Sequence, residues 1–137
     1  MNAGTWRMLL VGLAYATIGL VFAALDDVPD PAQMQMWRLG AWAVSALLAA
    51  GHLWYEHTRP GRSARSTALR AAGAVALGAF GLAVAANLHW WFSRIPGQRP
   101  PQPPLLALPI WPLVTGIPAF LAAFAVAAVL GRFSRRT

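Results

Sequence analysis

The sequence contains no cysteine, no lysine and only four acidic residues among its 137 positions. The absence of cysteine excludes disulfides, thiolate metal ligands and cysteine nucleophiles. Charged residues make up 11% of the chain, less than half of the roughly 25% that is usual in soluble domains. The sequence also has no HExxH, GxSxG or phosphate-loop motif, and no carboxylate lies deep inside an apolar run. We therefore predict that the protein is not an enzyme.

Hydrophobic residues are abundant, at 58% of the chain, and the mean hydropathy is +0.51. The first apolar run, from Met8 to Leu25, has 18 residues and would form a helix of about 27 Å, close to the thickness of a bilayer core. It is longer than the core of a secretory signal peptide, so we interpret it as an uncleaved span. The composition predicts an all-α integral membrane protein, a four-transmembrane-helix bundle forming one domain, with spans at about 7–25, 35–55, 68–92 and 107–131.

The connections between these spans have distinct chemistry. The stretch 57–67 is rich in arginine and polar residues, whereas 93–104 is rich in proline and predicts an extended path. Between the first two spans, Pro29 and Pro31 are expected to exclude helix. Ser66 or Thr67 is the predicted N-cap of the third span. Within the fourth span, Pro118 predicts a kink, because proline lacks the backbone N–H that would bond one turn back.

The arginines indicate an orientation. With four spans, eight of the eleven arginines fall on one side, together with both chain termini. Loops that carry excess arginine stay cytoplasmic, so the predicted topology is N-in and C-in. Arginine usage and short loops favour a bacterial inner membrane. The formal net charge of +7 is then explained by topology signals and contacts with anionic lipid, and we expect no nucleic acid partner.

Two spans carry stripes of small residues at helical spacing, which in lipid allow another helix to approach closely. The first span and the third span each present four such residues: Gly12, Ala16, Gly19, Ala23, Ala74, Gly78, Gly81 and Ala85. The stripes predict helix-packing faces, and they exceed what one hairpin contact needs.

The second span carries a polar stripe. Arg38, Ser45, His52 and Glu56 are spaced so that they share one helical face. A histidine and a carboxylate one turn apart are candidates for a proton or ion relay, because histidine titrates near neutral pH. Their position at the end of the span favours the alternative, an interfacial cluster in which Glu56 pairs with a neighbouring histidine or arginine.

A second polar cluster is predicted at the outer side, where Asp26, Asp27, Arg38 and His89 lie near several of the seven tryptophans. An ion or ligand site is one interpretation. We prefer an exposed ion pair that closes the bundle, a type of contact that contributes only about 0–1 kcal/mol. His52 and His89 are expected at opposite sides of the membrane, so we do not expect a bis-histidine haem within one subunit, and a haem site shared between subunits or using a non-histidine ligand stays open. We predict no cofactor, but we expect bound lipid.

Three functions remain open from the sequence. The leading hypothesis is a non-catalytic accessory or assembly subunit, whose partner is a larger membrane complex or further copies of itself. The first alternative is a small oligomeric transporter or channel that uses the polar stripe of the second span. The second alternative is a lipid, quinone or pigment binder, for which Trp42 is notable because it lies deeper than an interfacial anchor requires.

Overall fold

The described part of the chain is entirely α-helical. The computed structural model describes residues 3–25, 30–58, 63–92 and 105–133. These ranges contain four helices: α1 (Ala3–Leu25), α2 (Pro31–His57), α3 (Ala64–Phe92) and α4 (Ala107–Phe133). The all-α prediction is therefore confirmed.

Three of these helices are long and apolar enough to cross a membrane, as segments Gly4–Leu25, Ala64–Phe92 and Ala107–Arg132. This agrees with a membrane protein. Helix α2 has sufficient length, at 27 residues, but it does not belong to this group. Its average hydropathy is lowered by polar and charged residues along the helix: Gln33, Gln35, Arg38, His52 and Glu56.

Helix α2 begins earlier than predicted because its first turn is well capped. The Asp30 carboxylate accepts a hydrogen bond of 3.0 Å from the Ala32 N–H. Pro31 occupies the first helical position, where its missing N–H would have had no partner and its fixed φ suits the helix. The expectation that Pro31 excludes helix was wrong for this reason.

Helix α3 also begins before its predicted start. The Ser63 hydroxyl accepts a hydrogen bond of 3.2 Å from the Ser66 N–H, and the helix starts at Ala64. Ser63 is thus the N-cap, and the prediction of Ser66 or Thr67 was wrong. A serine directly before the helix can accept a hydrogen bond from the N–H three residues later, one of the first-turn groups that have no partner within the helix.

The contacts define an up-down-up-down arrangement. Helices α1 and α3 run in the same direction, since Gly4 near the start of α1 lies against Arg70 near the start of α3, and Gly19 further along α1 lies against Leu82. Helix α2 runs antiparallel to α1, because Arg7 lies over the ring of Tyr55. Helix α3 is central, with its most extensive contacts to α4 and α1, whereas α2 barely touches α4.

We call the end of the bundle that holds the start of α1, the end of α2, the start of α3 and the end of α4 the arginine end. Four described arginines lie within about two turns of the helix termini there: Arg7, Arg65, Arg70 and Arg132. The opposite end holds the start of α2 and the end of α3.

The core consists largely of small side chains, which bring the helix backbones close together. A Cβ added at Gly78 would lie 2.5 Å from the Tyr15 Cβ and 3.2 Å from the Gly12 carbonyl oxygen. A Cβ added at Gly116 would lie 3.2 Å from the Ala76 Cβ. Close approach of this kind is typical of helix pairs in membrane proteins, where packing replaces the hydrophobic effect as the driving force.

Helix α4 continues through both of its internal prolines, Pro112 and Pro118. The Thr115 hydroxyl lies between them in sequence and donates a hydrogen bond of 2.7 Å to the Trp111 carbonyl. This bond to the preceding turn shows how an apolar helix accommodates a hydroxyl. The kink at Pro118 stays a prediction.

Candidate functional site

The polar stripe of α2 passes from the surface into the interior along the helix. Arg38 is exposed and Ser45 is half-buried. Further along, His52 is 8% exposed and Glu56 only 1% exposed. The structure therefore places the Glu56 side chain inside the bundle near the arginine end, whereas the sequence favoured an interfacial position.

A groove of about 430 Å³ lies beside His52, where α2 and α4 diverge over α3. We call it the α2–α4 groove. Apart from His52 and Tyr15, its walls are apolar, and most of its side chains are small or aliphatic; they include Ala50, Leu53, Ala71, Val75, Ala119, Ala122, Val126 and Leu130. The groove exists because α2 makes few contacts with α4. It can accept an apolar chain, with an imidazole and a phenol as its polar groups.

A second cavity of about 420 Å³ lies between α1 and α2, and we call it the α1–α2 crevice. Arg7 and Tyr55 line it at the arginine end, and His52 lines it as well. The Arg7 Cζ lies 5.1 Å from the centroid of the Tyr55 ring, a cation–π contact. His52 thus borders both the crevice and the α2–α4 groove.

A third cavity, of about 270 Å³, continues the apolar space toward the opposite end. It shares Tyr15 and Val75 with the α2–α4 groove and adds Ser45 and Trp42 to the lining. Trp42 is 77% exposed, so its ring borders this cavity from outside. The two cavities are thus neighbours along one side of α2.

The small-residue stripes of α1 and α3 pack against each other. Added Cβ atoms on one stripe would contact the other helix at four positions: Gly12, Gly19, Gly78 and Gly81. Ala16 and Ala74 are buried in the same interface. Ala23 is exposed and Ala85 is half-buried. The two faces are thus largely occupied within one subunit, which removes them as the main surface for an external partner.

The outer polar cluster is only partly described, because Asp26 and Asp27 lie outside the described residues. Arg38 and His89 are both exposed at the end opposite the arginine end. Over residues 3–25, 30–58, 63–92 and 105–133, no group of three or more His, Cys, Asp or Glu side chains is placed to hold a metal ion.

The structure makes three further residues notable: Tyr15 and Asn87, which no sequence motif indicates, and Thr67, which the sequence predicts only as a helix cap. Thr67 is 1% and Asn87 is 7% exposed, both on α3, and Tyr15 lines two cavities. The Asn87 Nδ2 donates a hydrogen bond of 2.8 Å to the Ala83 carbonyl. An isolated polar residue in an apolar helix is itself a signal, because lipid would leave its polar atoms unsatisfied.

No protein-family model, curated protein or solved structure matches this chain. Any functional inference therefore depends on the geometry of the bundle.

Proposed function

We propose that the protein is a non-catalytic, four-span protein of a bacterial inner membrane that holds an apolar-chain molecule in the α2–α4 groove. A lipid, a quinone or a pigment has the required chemistry. The observation that carries this proposal is the groove itself, about 430 Å³ of mostly apolar surface with His52 and Tyr15 as polar groups. Ligand sites commonly have this composition, and volumes of about 300–1,000 Å³.

The proposal includes α2 as the fourth span. Its 27 residues make a helix of about 40 Å, longer than a bilayer core. The side chains that lower its hydropathy near the arginine end, His52 and Glu56, are buried. A span can carry polar residues that face protein, because these residues do not meet lipid. With four spans, the arginine excess favours a cytoplasmic arginine end, with both termini inside.

Cysteine labelling tests this topology. Because the chain contains no native cysteine, only an introduced cysteine can react with the label. Gln33 and Ser63 are exposed near the start of α2 and the start of α3, respectively. We expect a membrane-impermeant maleimide to label Gln33→Cys in intact cells, and to label Ser63→Cys only after lysis. Labelling of both from the same side would contradict a membrane-crossing α2.

A pair of substitutions on α4 tests the groove. Ala122 and Ala125 are both exposed, but only Ala122 lines the groove. We expect Ala122→Phe to fill the groove and reduce the co-purified ligand about tenfold, which corresponds to about 1.4 kcal/mol. Ala125→Phe is the matched control and should retain the ligand.

The measurement is native mass spectrometry of protein extracted in mild detergent, followed by solvent extraction and an absorbance spectrum. The extract distinguishes a lipid from a quinone, and the spectrum detects a pigment. Equal ligand content in Ala122→Phe and Ala125→Phe would exclude the groove as the site, and an empty wild-type protein would exclude the function.

An accessory subunit or homo-oligomer is the second candidate, and α2 provides the surface that favours it. Ala43 and Ala46 lie exposed beside Leu39 and Leu47, which are 61% and 74% exposed. Small residues on an outward face allow a helix of another chain to approach. The same mass spectra decide this candidate, because a fixed stoichiometry with another chain would support it and a monomer alone would count against it.

The oligomeric transporter or channel has weaker support. His52 and Glu56 are buried near one end of α2, which suits a relay group. Between Ser45 and His52, however, the space beside α2 has mainly alanine, valine and leucine walls, and an ion route through one subunit would lack polar groups along that length.

A further inference from the structure

We propose that the α1–α2 crevice is a binding site for an anionic phospholipid. In this arrangement the lipid phosphate lies at Arg7 and one acyl chain lies along the crevice. The site is separate from the α2–α4 groove. The inference rests on the proposed topology, which places the arginine end at the cytoplasmic leaflet.

Arg7 is positioned to receive a phosphate at the mouth of the crevice. It lines the cavity, and the Tyr55 ring holds its guanidinium at 5.1 Å through a cation–π contact. That contact is electrostatic, and the ring offers no lone-pair acceptor to the five N–H donors of the guanidinium. A phosphate accepts two of them in the bidentate geometry that arginine favours.

The remainder of the crevice fits an alkyl chain. Further from the arginine end than Arg7 and Tyr55, its walls are formed by apolar residues of both helices, namely Leu10, Val11, Leu47 and Leu48. Gly51 also lines it, and a Cβ added at Gly51 would have no atom within 4 Å. An acyl chain gains little by moving from bilayer to crevice, since both are apolar. Selectivity must therefore come from the headgroup.

The charge at this end favours an anionic headgroup over a zwitterionic one. Arg65 and Arg70 lie at the same end as Arg7. The Arg70 guanidinium lies against Gly4, one turn before Arg7 on α1. Among described residues, the sole carboxylate near this end is Glu56, and it is buried. Arginines near the membrane surface attract anionic lipids.

Lipid titration monitored by native mass spectrometry tests the site. The probes are phosphatidylglycerol and phosphatidylcholine with identical acyl chains. We expect the wild-type protein to bind at least one phosphatidylglycerol molecule with a dissociation constant about tenfold or more below that for phosphatidylcholine. Gly51→Leu fills the crevice and should abolish that preference, and Arg7→Ala should abolish it by removing the phosphate contact.

Two matched controls identify the cause. Gly131→Leu makes the same change at a glycine whose added Cβ also meets nothing within 4 Å, outside the crevice. Arg132→Ala removes an exposed arginine at the same end of the bundle. Both should keep the wild-type preference. If Arg7→Ala fails to fold, the result for Gly51→Leu decides. That variant is expected to fold, because leucine has a higher helix propensity than glycine.

Three results would overturn the proposal: equal binding of the two lipids by the wild-type protein, an unchanged preference in Gly51→Leu, or an equal loss in Arg132→Ala, which would indicate general charge attraction. Ala125→Phe, which lies outside both the groove and the crevice, should keep the preference. If cysteine labelling contradicts the predicted topology but the lipid preference is retained, the orientation is rejected and the site is not.

Discussion

Gly78→Leu is expected to force α1 away from α3 and to destabilise the bundle strongly in mild detergent. Gly78 is buried at the closest approach of the two helices. Even one added carbon would lie 2.5 Å from the Tyr15 Cβ and 3.2 Å from the Gly12 carbonyl oxygen. These atoms are fixed to the α1 backbone, so a rotamer change cannot relieve the clash. Overpacking typically costs about 1–3 kcal/mol, and we expect leucine to exceed this range.

Thermal unfolding followed by size-exclusion chromatography measures the effect. The Tm of Gly78→Leu should fall by on the order of 10 °C or more, and Gly78→Ala should fall by less. Gly131→Leu is the control, because the space around its added Cβ is open. If Gly78→Leu unfolds at the same temperature as Gly131→Leu, the α1–α3 packing described above is incorrect.

Glu56→Ala is expected to give the second-largest loss, about 2–4 kcal/mol of unfolding free energy. The side chain is 1% exposed, so truncation leaves a cavity at the arginine end, and large-to-small changes at buried positions cost about 2–5 kcal/mol. Glu56→Gln preserves the volume and removes the ionisable carboxyl group. The difference between the two variants separates the packing contribution of Glu56 from its electrostatic contribution.

Chemical unfolding in detergent, with tryptophan fluorescence as the signal, provides the measurement. Gln35→Ala is a suitable control because Gln35 is an exposed polar residue on the same helix; it should change stability by less than about 0.5 kcal/mol. A Glu56→Ala protein as stable as Gln35→Ala would show that Glu56 is in water rather than buried.

The packing of the small-residue stripes changes how a partner surface should be sought. From the sequence alone, the stripes of α1 and α3 favour contacts with external partners. Because Gly12 and Gly78 now lie in one interface, the exposed face of α2 around Ala43 and Ala46 becomes the surface to examine. An interface is better tested by substitutions on α2 than by substitutions on the stripes.

The sequence by itself determined the helices and the distribution of charge. Long apolar runs predict helices that match α1, α3 and α4 closely, because local composition and length are sufficient for such segments. The spacing of Gly12, Ala16 and Gly19 defines a smooth face for the same local reason. The concentration of arginines near one set of helix ends is likewise a property of the chain order.

Only the tertiary structure decided which faces meet. The rotation of each helix about its axis depends on contacts between residues distant in sequence. Those contacts join the Gly12 stripe to Gly78 and bury Glu56. The α2–α4 groove likewise follows from how far α2 lies from α4, a distance that no periodicity within either helix encodes.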